Sequence, residues 1–319
     1  MNQQFAADIK RGLDKNNKSL SSKYFYDEKD RIRSYELFSE IMNLPEYYLT
    51  NSEFEIFQKQ ADQIIRLLGI HPNKKFELVE LGAGDGYKTI ELLKAMDAAG
   101  LQYNYIPVDI SQKALNQIES NIKKAIPNKI ISPKKGDYFE SLSELNNSDA
   151  PKVVLFLGSN IGNMNDKIAQ SFMLSLSNAL SLGDKLILGA DLIKSKDIVL
   201  PAYNDSSGVT SAFNLNLLER INREFDADFN LSTFNHVAEY EEKEGIAKSY
   251  IQSMVDQKVN INSLNITLSF SKGEKIHTEI SRKYNDDILN KICDPAQLKM
   301  IIKLMEEKDH YDYFIFEKQ

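Results

Sequence analysis

The segment that most constrains the fold is Glu80-Leu-Gly-Ala-Gly-Asp-Gly86, which closes the short apolar run Phe76–Leu81. It opens onto an apolar pattern of helical spacing through Ile90, Leu93 and Met96. A strand that ends in closely spaced glycines and passes straight into a helix is the start of a βα unit. Gly82 and Gly84 allow the backbone to turn sharply and a ligand to come close where a Cβ would obstruct it. The spacing is GxGxG, not the GxGxxG of a dinucleotide fold, in which turn and helix N-terminus hold a pyrophosphate. Taken alone, the same glycines could also form a tight βα turn with no ligand.

The βα rhythm continues to about residue 193. Tyr103–Val108 (YNYIPV) reads as the next strand, with a helix starting near Ser111, and Ile130–Ser132 as a weak third strand. Val153–Leu157 (VVLFL) is apolar throughout, as suits the middle of a parallel sheet. Lys185–Leu188 resembles it. Ahead of the first strand, Phe54, Phe57, Ala61, Ile64, Ile65 and Leu68 recur at helical spacing. These units predict a doubly wound α/β sheet. Beyond Ile193 the texture changes to a helix (Asn214–Phe225) and two runs of period-2 alternation, Lys258–Phe270 and Lys275–Tyr284. The final DYFIFEKQ reads as a last strand returning to the main sheet. The expected division is 58–193 with 286–319 as one domain, and 1–57 with 194–285 as a second, α+β domain.

Composition narrows the function classes. With 319 residues, 42% of them hydrophobic, the chain can bury a real core. A net charge of -7, with both signs interspersed, offers no concentrated basic surface for a nucleic acid. The single cysteine, Cys293, cannot form an intramolecular disulfide, and the four histidines (His71, His236, His277, His310) show no HExxH spacing. No metal, membrane or nucleic-acid role is therefore expected. The N-terminus lacks the apolar stretch of a secretory signal, so a cytoplasmic location and a small-molecule partner fit best.

Two further loops can be read chemically. Asp109 ends the second strand, where a carboxylate can accept both hydroxyls of a ribose; a plain helix-start acid ahead of Ser111 is the alternative. Gly136-Asp137-Tyr138-Phe139 occupies the third loop, where an acid can accept an exocyclic amine while an aromatic ring packs on a base. An ordinary turn is the competing reading there.

The order of these strings, with several unusual ones, resembles the histidine-specific N(α)-methyltransferase family of ergothioneine biosynthesis, whose product is the trimethylated betaine hercynine. The likeness runs over roughly residues 20–285. It rests on LPEYY at 44–48, ELGAGDGYKT at 80–89, VDIS at 108–111, GDYF at 136–139 and LFLGSNIGN at 155–163. It continues through AYNDSSGVTSAFNLN at 202–216 and HTEIS at 277–281. The resemblance implies a class I, Rossmann-like methyltransferase fold with a second substrate-binding domain. It implies S-adenosylmethionine as methyl donor, S-adenosylhomocysteine as product, and L-histidine or a related amine as substrate.

Carried over by position, Gly82, Gly84, Gly86, Lys88, Asp109, Asp137 and Tyr138 would hold the donor. Tyr26, Phe38 and Tyr47 would lie near the reacting groups, with the Tyr47 hydroxyl or a water as proton acceptor. Asn163 and Tyr203 would hold the two ends of the amino acid, and Glu279 and Ser281 its imidazole. Strand alternation supports the last pair, since residues two apart share a face about 7 Å from each other. An amphipathic edge strand with a solvated polar face is the competing reading of HTEIS. Three departures stand out: the longer stretch 26–38 lacks the family's glycine, Asn204 replaces an acid after the substrate tyrosine, and Ser249 stands where the family often carries Met near the imidazole.

Overall fold

In a computed structural model the described residues are 3–26, 33–71, 73–145, 148 and 150–319. Of the altered stretch 26–38, residues 27–32 therefore lie outside them. The chain separates into two compact units, Met1–Tyr48 with Lys194–Ser281, and Leu49–Ile193 with Arg282–Gln319. The sequence boundaries at 57/58 and 285/286 fall slightly inside the second unit. Helix packing accounts for the first: Phe57 lies fully buried with its ring 4.8 Å from that of Tyr313.

The first unit opens with α1 (Gln3–Leu13) and α2 (Ser34–Met42). The chain then runs through α3 (Tyr48–Leu68), β1 (Phe76–Leu81), α4 (Thr89–Ala98), β2 (Tyr103–Asp109), α5 (Gln112–Ala125) and β3 (Lys134–Lys135). After these come α6 (Tyr138–Leu145), β4 (Lys152–Phe156), α7 (Asp166–Asn178) and β5 (Lys185–Asp191). The first unit resumes with α8 (Lys196–Ala202), α9 (Val209–Phe225) and the strands β6 (Phe234–Glu241), β7 (Ile246–Ser253), β8 (Gln257–Ile261), β9 (Ile266–Phe270) and β10 (Lys275–Arg282). The second closes with α10 (Asp286–Cys293), β11 (Leu298–Met305) and β12 (Tyr311–Lys318).

The second unit holds a seven-stranded sheet in the order β11-β12-β5-β4-β1-β2-β3. Strands β3, β2, β1, β4 and β5 pair in parallel, and β12 joins β5 antiparallel. This is the doubly wound, Rossmann-like architecture of class I methyltransferases. The apolar runs fill its centre because a parallel strand covered by helices is buried on both faces. Every residue of β4 is buried, and Val154, Phe156, Phe172, Leu188 and Phe314 belong to one core cluster. Each such side chain contributes roughly 1.5–3 kcal/mol. At the end of β5, Asp191 forms a fully buried ion pair with Lys283 at 2.5 Å.

The third strand lies at Lys134–Lys135 rather than at Ile130–Ser132, where Ile131 makes only an isolated bridge to Tyr105. In the first unit β10, β7 and β6 form one sheet and β8 and β9 a separate hairpin. The alternating run 258–270 is thus two strands, reversed by a turn whose Asn265 takes a left-handed φ of +53°. Asparagine tolerates that conformation better than most residues. The core of this unit gathers Phe25, Phe213, Leu217, Ile221, Phe225 and Ile251.

Candidate active site

Strand order turns around between β1 and β4: the chain builds outward through β2 and β3 on one side, and through β5 on the other. In open α/β sheets ligands bind outside the carboxyl ends of the strands at such a switch point. The loop after β1 is the glycine run, and the loop after β4 begins at Leu157-Gly158-Ser159-Asn160. The Gly82 and Ala83 N–H groups both donate to the Val108 carbonyl, at 2.8 and 3.1 Å, which folds the first loop onto the end of β2. A Cβ at Gly82 (φ +74°) would stand 2.7 Å from Asn160 Nδ2 and 2.8 Å from Tyr138 Oη. At Gly84 (φ +58°) nothing lies within 4 Å of the Cβ position, so bare backbone faces open space.

Asp109 is half-buried at the end of β2. Its Oδ2 accepts the Gly84 N–H at 3.1 Å and its Oδ1 the Ser111 N–H at 2.8 Å. Capping of α5 falls to Ser111, whose Oγ accepts the Ala114 N–H at 3.2 Å. The carboxylate thus ties the glycine loop to the next one and keeps acceptor capacity for a further donor. Burial raises its pKa, with the Ser111 and Gly84 hydrogen bonds opposing.

Beneath the loop, Glu80 is buried, and accepts hydrogen bonds from Thr89 at 2.7 Å and from the Tyr105 phenol. Burial pushes this acid up to about 7, against the pull of those two donors. Tyr138 sets its ring edge-on to Phe156 at 5.2 Å, and burial, helped by the Asp109 charge, raises its phenol pKa and keeps it neutral. Asp137 is exposed, with its Oδ1 accepting the Glu140 N–H at 2.9 Å, the bond of a helix-capping acid.

Sequence reasoning missed a central acid. Glu53, on α3, is fully buried. It forms an ion pair with Lys88, and its Oε1 accepts the Gly158 N–H at 2.7 Å and the Tyr311 hydroxyl at 2.5 Å. The Tyr311 oxygen in turn accepts the Ser159 N–H at 2.9 Å. Gly158 and Ser159 both have positive φ, +68° and +53°, and this network holds that unusual turn in place. Glu53 therefore links the lysine after the glycine loop to the loop after β4. Its one sequence signal was a carboxylate on the apolar face of α3. Asn160, whose amide lies over Gly82, was missed as well. Asn163, three residues on, is exposed.

In the first unit Tyr26, Phe38 and Phe213 form an aromatic trio, with ring centroids 5.8–5.9 Å apart. Tyr47 packs half-buried against the same core. Tyr203, just past α8, meets Ser281 on β10, hydroxyl to hydroxyl at 2.7 Å. The burial alternation of β10 holds through Ile276 and Thr278 and then breaks, since Glu279 and Ile280 are both half-buried and Ser281 is buried. Ser249 is buried on β7, and its carbonyl accepts the Thr278 hydroxyl at 3.0 Å.

Asn204 is exposed, and its neighbour Asp205 is committed to a structural task. Asp205 takes the N–H groups of Thr210 and Val209 at 2.7 and 3.0 Å and the Ser207 hydroxyl at 2.6 Å. Burial opposes ionisation there, but these donors hold the carboxyl well below the usual range. Among the described residues no group of three His, Cys, Asp or Glu side chains is placed to hold a metal ion. No helix among them is long and apolar enough to cross a membrane.

The sequence profile of the family described as "Histidine-specific methyltransferase, SAM-dependent" matches residues 5–318. The chain is 36% identical to the histidine N-alpha-methyltransferase of Mycolicibacterium smegmatis over 280 residues, covering 88% of this chain and 84% of that protein. The enzyme of the same name from Mycobacterium tuberculosis is 35% identical over 277 residues, or 87% and 83% of the two chains. Ergothioneine biosynthesis protein 1 of Schizosaccharomyces pombe is 27% identical over 307 residues, 94% of this chain and 39% of that protein.

Proposed function

Because the chain belongs to the histidine-specific, S-adenosylmethionine-dependent methyltransferase family, we propose that it methylates the α-amino group of L-histidine, through to the trimethylated betaine. The observation that carries this reading is the extent of the likeness to histidine N-alpha-methyltransferases, 36% identity over nearly the whole of both chains. We assign donor binding to the unit that holds the parallel sheet and recognition of the amino acid to the other. A cytoplasmic location belongs to the same proposal, on the strength of the lone thiol.

The residues present fit the donor. Bare backbone at Gly84 leaves room for close approach, and Asp109 keeps acceptor capacity for ribose hydroxyls. Lys88 matches a carboxylate, and Tyr138 with Asp137 suits a heteroaromatic base with an exocyclic amine. When bound, S-adenosylmethionine supplies a methyl group activated by its sulfonium.

The protein's part is to hold a neutral amine in line and to let its proton leave. Glu279 accepts one imidazole N–H, and Ser281 pairs with the other nitrogen through a hydroxyl already set by Tyr203. Tyr203 takes one end of the amino acid. Fixing the nucleophile in this way removes several kcal/mol of the barrier. Before each transfer the ammonium form loses one proton, which the Tyr47 hydroxyl or a water accepts, so that a lone pair meets the methyl group. The faces of Tyr26, Phe38 and Tyr47 suit an ammonium that grows with each methyl, as aromatic rings attract cations.

Calorimetric titration of L-histidine into the protein saturated with S-adenosylhomocysteine tests this assignment. Glu279→Ala is expected to weaken histidine binding at least tenfold and to leave S-adenosylhomocysteine affinity as it was. Undiminished histidine affinity in that variant would remove the imidazole assignment.

A further inference from the structure

Helix α8 is held at both ends by side chains from one face of β6. His236 and Tyr240 stand four residues apart on that strand and so point the same way. The Tyr240 hydroxyl donates to the Lys194 carbonyl, two residues before the helix, at 3.1 Å. The His236 Nε2 lies 2.8 Å from the carbonyl oxygen of Tyr203, the residue just after it. Between the two bonds, Val199 packs on Tyr240 and Ala247, with Leu200 and Tyr203 against the same small cluster. A third bond, from the Lys196 N–H to Glu242 at 2.9 Å, steadies the first turn.

We propose that His236 is a positioning residue for the amine site: its Nε2–H fixes the Tyr203 main chain, and so the phenol that meets Ser281. A carbonyl oxygen only accepts, so this bond requires the proton on Nε2. The Tyr203 carbonyl thus selects the Nε2–H tautomer. Burial of the ring lowers its pKa and favours this neutral form, with the Tyr203 carbonyl, the Tyr250 main chain and the Asp205 charge pulling the other way. From the ring the path is two short bonds long: His236 to the Tyr203 carbonyl at 2.8 Å, and the Tyr203 hydroxyl to Ser281 Oγ at 2.7 Å. Glutamine can place an amide N–H close to the position of Nε2, whereas leucine fills the space with no donor.

This inference rests on the reading of Tyr203 and Ser281 as substrate-facing residues, and the experiment separates the two. His236→Leu, His236→Gln, Tyr203→Phe and Ser281→Ala would each be assayed for KM and kcat with L-histidine and for S-adenosylmethionine affinity. His236→Leu is expected to raise the histidine KM about tenfold, the worth of one buried hydrogen bond, with donor affinity unchanged. His236→Gln should recover most of that loss. An unmoved KM in His236→Leu, alongside a raised one in Tyr203→Phe, would overturn the role of His236 alone. No change in any of the four would overturn the substrate-site reading and this inference with it. Should His236→Leu fail to fold, 15N spectra of the histidine-labelled parent protein still decide: the Nε2–H tautomer supports the assignment, and the Nδ1–H tautomer overturns it.

Discussion

Replacing Glu53 should be the most costly single change to the turn after β4. In Glu53→Ala the Gly158 N–H and the Tyr311 hydroxyl lose their acceptor inside the protein. Each buried donor left unpaired costs about 1–3 kcal/mol. Lys88 also loses its counter-charge, but its side chain is 23% exposed, so water relieves part of that penalty. The pair's share then lies toward or below the lower end of the roughly 3–5 kcal/mol seen when a buried ion pair is broken. These terms overlap because they share one carboxylate, and a total of about 4 kcal/mol is expected. Glu53→Gln keeps an acceptor oxygen for Gly158 and Tyr311 but turns an NH2 toward Lys88 in place of the second carboxylate oxygen, and because Lys88 can turn to water about 1–2 kcal/mol is expected there. Urea unfolding followed by far-UV circular dichroism, extrapolated linearly to water, measures both. An alanine variant within about 1 kcal/mol of the parent, or a glutamine variant as costly as alanine, would refute the hub role.

Two more predictions concern the same unit. Gly82→Ala should weaken S-adenosylhomocysteine binding, because its Cβ would collide with Asn160 and Tyr138. Gly84→Ala meets no protein atom, so its cost in stability is that of positive φ alone, about 1–2 kcal/mol, while its Cβ enters the space left for the donor and weakens binding as well; urea unfolding that finds Gly84→Ala as destabilised as Gly82→Ala would contradict the packing. The folded pKa of Glu80, about 7, stands above its ordinary 4.5, so the fold prefers the protonated acid. That stabilisation is complete below about pH 4.5 and is lost as pH rises through 7, a difference of about 3 kcal/mol. Glu80→Gln should flatten this part of the stability profile between pH 5 and 8, leaving the like-signed contribution of Asp312, which burial also raises to about 7. Parallel profiles for parent and variant would rule out Glu80 as the source.

The parts of the fold that the sequence made legible are those whose signal is local. Apolar runs such as Val153–Leu157 declare a buried parallel strand within five residues, and the glycines after Leu81 mark the switch-point loop. Elements whose apolar face is thin stay hidden. β11 is an edge strand with Lys299 and Lys303 among its eight residues and few buried positions, so its pattern dissolves into charge. In the run 258–270 the reversal shows only as a one-residue change of phase, from Val259 and Ile261 to Leu264, Ile266, Leu268 and Phe270, across Asn262 and Ser263.

The candidate site divides in the same way. Loop residues such as Asp109 and Tyr138 follow from their place after a strand. The Glu53 bonds to Gly158 and Tyr311 span 105 and 258 positions, and the Tyr203–Ser281 pair spans 78. No periodicity within a window can reveal such partners. Asp205 shows the converse hazard: an acid two residues after Tyr203, a residue proposed to face the substrate, invites a binding role, and its hydrogen bonds show a helix cap instead.

The central claim is tested most directly by mass spectrometry of the purified protein incubated with S-adenosylmethionine and an equimolar mixture of free amino acids. The account predicts stepwise addition of methyl groups to histidine alone, ending at the trimethylated betaine. Methylation of a different amino acid, with histidine untouched, would contradict it.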